Sequence, residues 1–98
     1  MITVLIHHKV LDFSRFKPVF DSAFQFRHDN GEECCKILRS ITDPNDVTVM
    51  LTFSSAEGAQ KFISSDTLRA RMKEAGVVGE PSIHLLAEAY MARRTAAD

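Results

Sequence analysis

The 98-residue sequence predicts an α+β fold in the order β-α-β-β-α-β with an antiparallel sheet. Three observations carry that expectation. Residues 2–10, 32–41, 47–53 and 82–91 are short and rich in apolar or β-branched side chains, as strands are. The stretches after the first and third of these repeat apolar residues at helical spacing. Between the second and third, Asp43-Pro44-Asn45-Asp46 has the chemistry of a tight turn, which makes that pair a hairpin.

The first strand is ITVLIHHKV, residues 2–10. Asp12 or Ser14 can cap the helix that follows by accepting from its free N–H groups. Phe13, Phe16, Phe20, Ala23 and Phe24 form one apolar stripe along it. Pro18 lacks a backbone donor and predicts an irregular or bent first turn. Asp29-Asn30-Gly31 supplies the stop, with Gly31 free to take a positive φ. Strands at 32–41 and 47–53 follow. The adjacent Cys34 and Cys35 point to opposite faces of a strand, so they cannot jointly chelate a metal or easily close a disulfide. They are expected to be small buried thiols in a reducing compartment.

In the turn, Asp43 bonds back to the backbone, Pro44 presets φ and Asn45 tolerates the third position. Ser54 with Glu57 resembles a capping box and opens a helix through Ala59, Phe62 and Ile63. Ser65-Asp66 caps a further segment carrying Leu68, Met72 and Ala75, stopped at Gly76. Residues 82–91 (SIHLLAEAYM) suit a helix on propensity, and only the architecture makes them the last strand. Residues 1–92 then form a single domain, and 93–98 read as a flexible C-terminal tail.

This order is the ferredoxin-like pattern, with sheet order 4-1-3-2 and both helical arms on one face. A sheet whose other face met water would alternate cleanly between apolar and polar residues. Here Leu5, Met50, Leu86 and Tyr90 fall on the face opposite the main apolar set. The last strand also leaves a long apolar edge. A second copy of the chain, sheet against sheet, covers both, so a homodimer is expected.

With 45% hydrophobic and 26% charged residues and a net charge of −1, the chain carries no basic footprint for nucleic acid or an anionic membrane. No apolar run reaches the ~18 residues of a membrane span. MITVLIHHKV is too short in its apolar part for a signal peptide, so the expected location is cytoplasmic. Strands one and three lack the stacking aromatics of RNA-recognition modules. No C-x-x-C or Gly-rich loop follows the first strand, and no phosphate loop, Ser-His-Asp order, paired-carboxylate spacing or zinc pattern appears. Neither a metal nor a cofactor is expected.

A set of residues running through the chain carries a resemblance. It comprises His7-His8-Lys9-Val10 with Asp12, Phe16 and Phe20, then Arg27 ahead of Gly31, then Arg39 and Asp43-Pro44-Asn45. Phe62, Leu68-Arg69, Met72, Ala75-Gly76-Val77 and Pro81 complete it. Across nearly all of residues 3–87 the chain resembles a branch of the dimeric α/β-barrel superfamily near the antibiotic-biosynthesis monooxygenases. The resemblance implies a dimeric barrel that binds small molecules. It further implies a cofactor-independent monooxygenase or cyclase-like enzyme acting on aromatic or polyketide-like substrates. Phe16 stands where a tryptophan is common in that branch. Characterised oxygenases of the superfamily use a tryptophan with an asparagine and a histidine or tyrosine. This chain has no tryptophan, and Asn30 and Asn45 fall in loops, so that catalytic set is not carried over.

His8 shares its parity with Ile2, Val4 and Ile6 and projects from an apolar face near the strand's end. It reads either as a general base on a phenol or enol, or as a core histidine bonded to a neighbour. His7 points the other way. Arg39 shares its parity with Cys35, Ile37 and Ile41 and needs a partner, either a protein carboxylate or an anionic ligand. Arg27 and His28 end the first helix, where positive charge complements the helix dipole. Phe16, Phe20, Phe62 and Met72 are core residues that can also wall an aromatic pocket, with Arg27 at its side. His84, Glu88 and Tyr90 suit either a pocket or a dimer seam, and Arg69-Ala70-Arg71-Met72-Lys73 reads as a solvated helix side. The leading expectation makes His8 the base and Arg39 the anion stabiliser. The rival is a ligand-binding or structural dimer without catalysis.

Overall fold

A computed structural model of the chain describes residues 1–94. The first strand, β1 (Ile2–Val10), buries Val4, Ile6, His8 and Val10 while His7 and Lys9 face solvent. The hairpin strands are β2 (Glu32–Arg39) and β3 (Asp46–Phe53), and β3 buries Val47, Val49, Leu51 and Phe53. β1 and β3 pair antiparallel, so buried residues of one stand opposite those of the other: Ile6 faces Val49 and His8 faces Val47. The sheet is completed by β4 (Val77–Ala87) and has the order β2-β3-β1-β4, antiparallel throughout. This is the expected ferredoxin-like topology.

Each helical arm is divided. α1 (Phe13–Ser22) and α2 (Phe24–Asp29) join β1 to β2, and α3 (Ala56–Ser64) and α4 (Asp66–Glu74) join β3 to β4. Phe16, Ala59, Phe62, Leu68 and Ala75 bring both arms onto the same sheet face in one core. Burying a large apolar side chain is worth about 1.5–3 kcal/mol, so this set decides which face the helices cover. None of these helices is long and apolar enough to cross a membrane.

Asp12 caps α1, its carboxylate accepting from Ser14 N at 2.9 Å and Ser14 Oγ at 2.8 Å. α1 continues through Pro18, and the break falls at Ala23 instead of the first turn. The break shifts the helical phase. Phe24, expected on the inner stripe, is 54% exposed, while Phe26 and Arg27 turn inward. Gly31 then takes a φ of 98° and starts β2.

In the hairpin turn, Asp43 O accepts from Asp46 N at 3.1 Å and Asp43 Oδ1 from Asn45 N at 2.9 Å. Asn45 also clamps the β1–α1 connection. Its Oδ1 accepts from Phe13 N at 3.0 Å and its backbone O from Val10 N at 2.9 Å.

Other sequence expectations shift. Ser55, not Ser54, caps α3, accepting from Gly58 N at 3.0 Å. Ser65 caps α4 as expected, accepting from Leu68 N at 3.1 Å. β4 begins at Val77 instead of Ser82 and ends at Ala87 instead of Met91. Cys34 and Cys35 are exposed, not buried, because β2 is an edge strand. Partial burial and the neighbouring Glu32 still push the Cys35 thiol up. The tail expected over 93–98 lies outside the described residues from 95 onward.

Candidate functional site

The site begins where β4 leaves the β1 ladder. His7 pairs with Ser82 and Lys9 with Val78, so Gly79, Glu80 and Pro81 stand as an irregularity opposite His8. Gly79 takes a φ of 72° there, which glycine adopts without a Cβ clash. Pro81 is tolerated because β4 is an edge strand. Bulges of this kind commonly lie beside functional positions, where they re-aim a side chain or end pairing.

His8 projects inward from this point and is only 5% exposed. Its ring meets Phe16 edge-on, with centroids 5.4 Å apart. Its Nδ1 is buried without a hydrogen-bond partner among the described residues. Such a buried polar atom is costly, and it marks the position as one that rewards a partner. Burial pushes the His8 pKa below its ordinary 6.5, so the imidazole is neutral at pH 7. A neutral imidazole carries one donor and one acceptor nitrogen.

A cavity of about 50 Å³ lies between sheet and helices beside His8. Ile6, Val49 and Leu51 form its sheet side. Six of the residues singled out in the sequence line it together: His8, Phe16, Phe20, Arg27, Phe62 and Met72. Phe20 stacks on Phe16 at 5.9 Å, and Phe62 packs on Phe53 and Phe26 at 5.2 and 5.5 Å. The walls are therefore aromatic and interlocked.

Arg27 is buried, a placement that its position at a helix end does not suggest. Its Nε donates to Glu32 Oε2 at 2.6 Å and its Nη1 to Phe20 O at 2.5 Å, with the guanidinium 3.8 Å from the Phe20 ring centre. Glu32, which no motif in the sequence marks, thus compensates the charge. The only sequence signal was its spacing across the Asn30-Gly31 turn. Arg71 also lines the cavity instead of standing on a purely solvated face. Its Nη1 lies 3.2 Å from Glu74 Oε2. Leu68, Arg71, Met72 and Ala75 have the spacing of one helix face, a signal that was there to be read.

Arg39 does not line the cavity. It stands in the same cross-strand row as Val47 and His8, but its side chain is exposed and its guanidinium lies 4.2 Å from the Phe13 ring centre. The partner sought for it is an aromatic face, not a carboxylate. His7 lies on the opposite sheet face, with Nε2 2.5 Å from Asp46 Oδ1. His84 bonds Ser82 Oγ at 3.0 Å, and Tyr90 is exposed beyond β4; neither reaches the cavity. Among the described residues no group of three His, Cys, Asp or Glu side chains is placed to hold a metal ion.

No family model and no curated protein matches the chain by sequence. Solved structures do match its fold. A candidate antibiotic biosynthesis monooxygenase from Bordetella bronchiseptica superposes with a TM-score of 0.74 at 16% identity, over 91% of this chain and 97% of that one. The fold is shared with structures described as antibiotic biosynthesis monooxygenases. A second candidate of that family, from Caulobacter crescentus, matches at a TM-score of 0.70 and 21% identity over 91% and 90% of the two chains. SnoaB, a cofactor-independent oxygenase from Streptomyces nogalater, matches at 0.66 and 15% identity over 99% and 97%. What this chain shares with these structures at such identities is the backbone arrangement, and its site chemistry has to be argued from its own side chains.

Proposed function

We propose that the chain binds a small uncharged molecule bearing an acidic hydroxyl, a phenol or enol, and that His8 accepts its proton. The observation that carries this reading is the unpartnered Nδ1 of a nine-tenths-buried His8 beside an aromatic-walled cavity. Removing the proton leaves an electron-rich anion. Arg27 and Arg71 both line the cavity; each is already paired, with Glu32 and Glu74, so either would share its guanidinium with the anion. Such an anion can give electrons directly to dioxygen as co-substrate, so the leading reaction is cofactor-independent oxygenation of an aromatic or polyketide-like compound, or a related enol reaction. The fold shared with SnoaB supports this class of chemistry. Phe16, Phe20, Phe62 and Met72 would hold the ring. Arg39, outside the cavity, takes no direct part.

We further propose that the protein is a homodimer in the cytoplasm. Leu38 and Leu86 are each 46% exposed on the outward sheet face, which also carries Leu5 and Met50. A sheet-to-sheet dimer removes this apolar surface from water. Light scattering at micromolar concentration is expected to give twice the chain mass, and a monomer would refute it.

The activity is tested by oxygen uptake with a panel of naphthols and other hydroxylated polycyclic aromatics. Turnover is expected to fall on the acid side as His8 protonates, and to be lost in His8→Ala. Undiminished turnover in that variant would remove the role of His8. Stoichiometric binding without turnover would favour the non-catalytic binding dimer.

A further inference from the structure

The cavity beside His8 is smaller than any aromatic molecule it is to hold. A space of about 50 Å³ takes a water or two, whereas small-molecule sites usually run to ~300–1,000 Å³. One wall has to yield. Ile6, Val49 and Leu51 belong to the two central strands, and Phe16 and Phe62 are only 5% and 2% exposed within the core. Moving these would break the close packing of the interior.

α4 offers a different wall. A second space, a groove of about 390 Å³, lies on its other side between α4 and the irregular start of β4. Leu68 and Met72 are the residues common to the cavity and the groove. Leu68 is branched and 8% exposed, part of the core. Met72 is half-buried and unbranched, with a flexible thioether side chain that adapts readily to new packing. Behind it the groove runs past Gly79, Glu80 and Pro81, the residues that stand opposite His8. Met72 therefore combines a flexible side chain with open space to move into.

We propose that Met72 is the gate and the size-setting residue of this site: its side chain swings into the groove at the β4 irregularity, joins the two spaces, and admits an uncharged one- or two-ring aromatic alcohol to His8. This rests on the cavity being the ligand site. The polar rim of the groove, with Arg69, Lys73 and Glu80, leads inward to the apolar Val77 and Ile83, a graded path for a molecule with one hydroxyl.

The experiment is an NMR titration of the whole chain with phenol and with 2-naphthol, read at the His8 ring protons. In the native protein both probes are expected to shift these signals, with naphthol binding more weakly than its greater apolar area would give. In Met72→Ala, naphthol affinity and exchange rate should each rise by about tenfold or more. Should that variant not fold, Met72→Ile keeps nearly the same volume with a stiff β-branched side chain, and naphthol exchange should slow by about tenfold. Equal affinities and exchange rates in native and variant proteins, with His8 still shifted, would overturn the gate and leave the cavity as the binding site. Unshifted His8 signals with both probes in both proteins would overturn the binding site and the gate with it.

Discussion

Arg27 and Glu32 form an ion pair with both side chains buried, Nε standing 2.6 Å from Oε2. The pair ties the last turn of α2 to the first residue of β2 and seats Arg27 over Phe20, a cavity wall. Removing one partner of a buried pair leaves an uncompensated charge and costs about 3–5 kcal/mol. Glu32→Ala should therefore lower the urea midpoint severely. Arg27→Met combined with Glu32→Leu should recover most of the loss, since apolar replacement of both partners is often neutral. A double variant as unstable as the single one would show that the pair is not what holds this junction.

Asn45 bridges two loops distant in sequence. Its Oδ1 accepts from Phe13 N at 3.0 Å, and its Nδ2 donates to Leu11 O at 3.4 Å. Asn45→Ala leaves the part-buried Phe13 N–H without its acceptor, at a cost of about 1–3 kcal/mol. Asn45→Asp keeps that acceptor and should lose less. Denaturant unfolding ranks the two, and faster amide exchange at Phe13 in Asn45→Ala alone would locate the effect.

The alternation of Val4, Ile6 and His8 and of Val47, Val49 and Leu51 was legible because strand parity is a two-residue rule that neighbours do not alter. It placed His8 inward and His7 outward correctly. The burial of Arg27 is not legible, because its orientation depends on the break at Ala23, which resets the helical phase and is not marked by a glycine or proline at that point. The exposure of Cys34 and Cys35 is not legible because it follows from β2 being an edge, a property of the whole sheet. The start of β4 at Val77 is hidden in the sequence because Gly79 and Pro81 look like breakers, yet an edge strand accommodates both. Parity gives the strand face on which Arg39 stands but not the direction its long side chain takes along it.

Gly58 sits in the first turn of α3 against the end of α2. A Cβ there would come 2.2 Å from Asn30 O, a backbone atom that cannot rotate away. Glycine to alanine inside a helix ordinarily gains about 1 kcal/mol. Here overpacking, typically about 1–3 kcal/mol, opposes that gain and is expected to win. Gly58→Ala should thus melt below the native protein, by roughly 4–8 °C for each net kcal/mol in a chain of this size. A raised melting temperature would mean that the α2–β2 connection gives way easily.

The pH dependence of stability follows from His8. Burial is the largest influence on its pKa in the folded protein and lowers it, outweighing the influences that raise it. Unfolded, the ring returns to about 6.5 and binds a proton that the folded state resists. Between the folded and unfolded values the unfolded chain holds more protons, so stability rises with pH across that window and is level above it. Acidification from pH 7.5 to below 6 should therefore destabilise the native protein more than His8→Gln, with the slopes differing by at most one proton. The other histidines are common to both proteins and largely cancel in the difference. Saturating phenol should steepen the loss in the native protein only, because the proton and the ligand hydroxyl compete for the same ring. Parallel stability curves for the two proteins across this range would mean that His8 is as free to protonate folded as unfolded, and would remove the neutral imidazole on which the proposed chemistry depends.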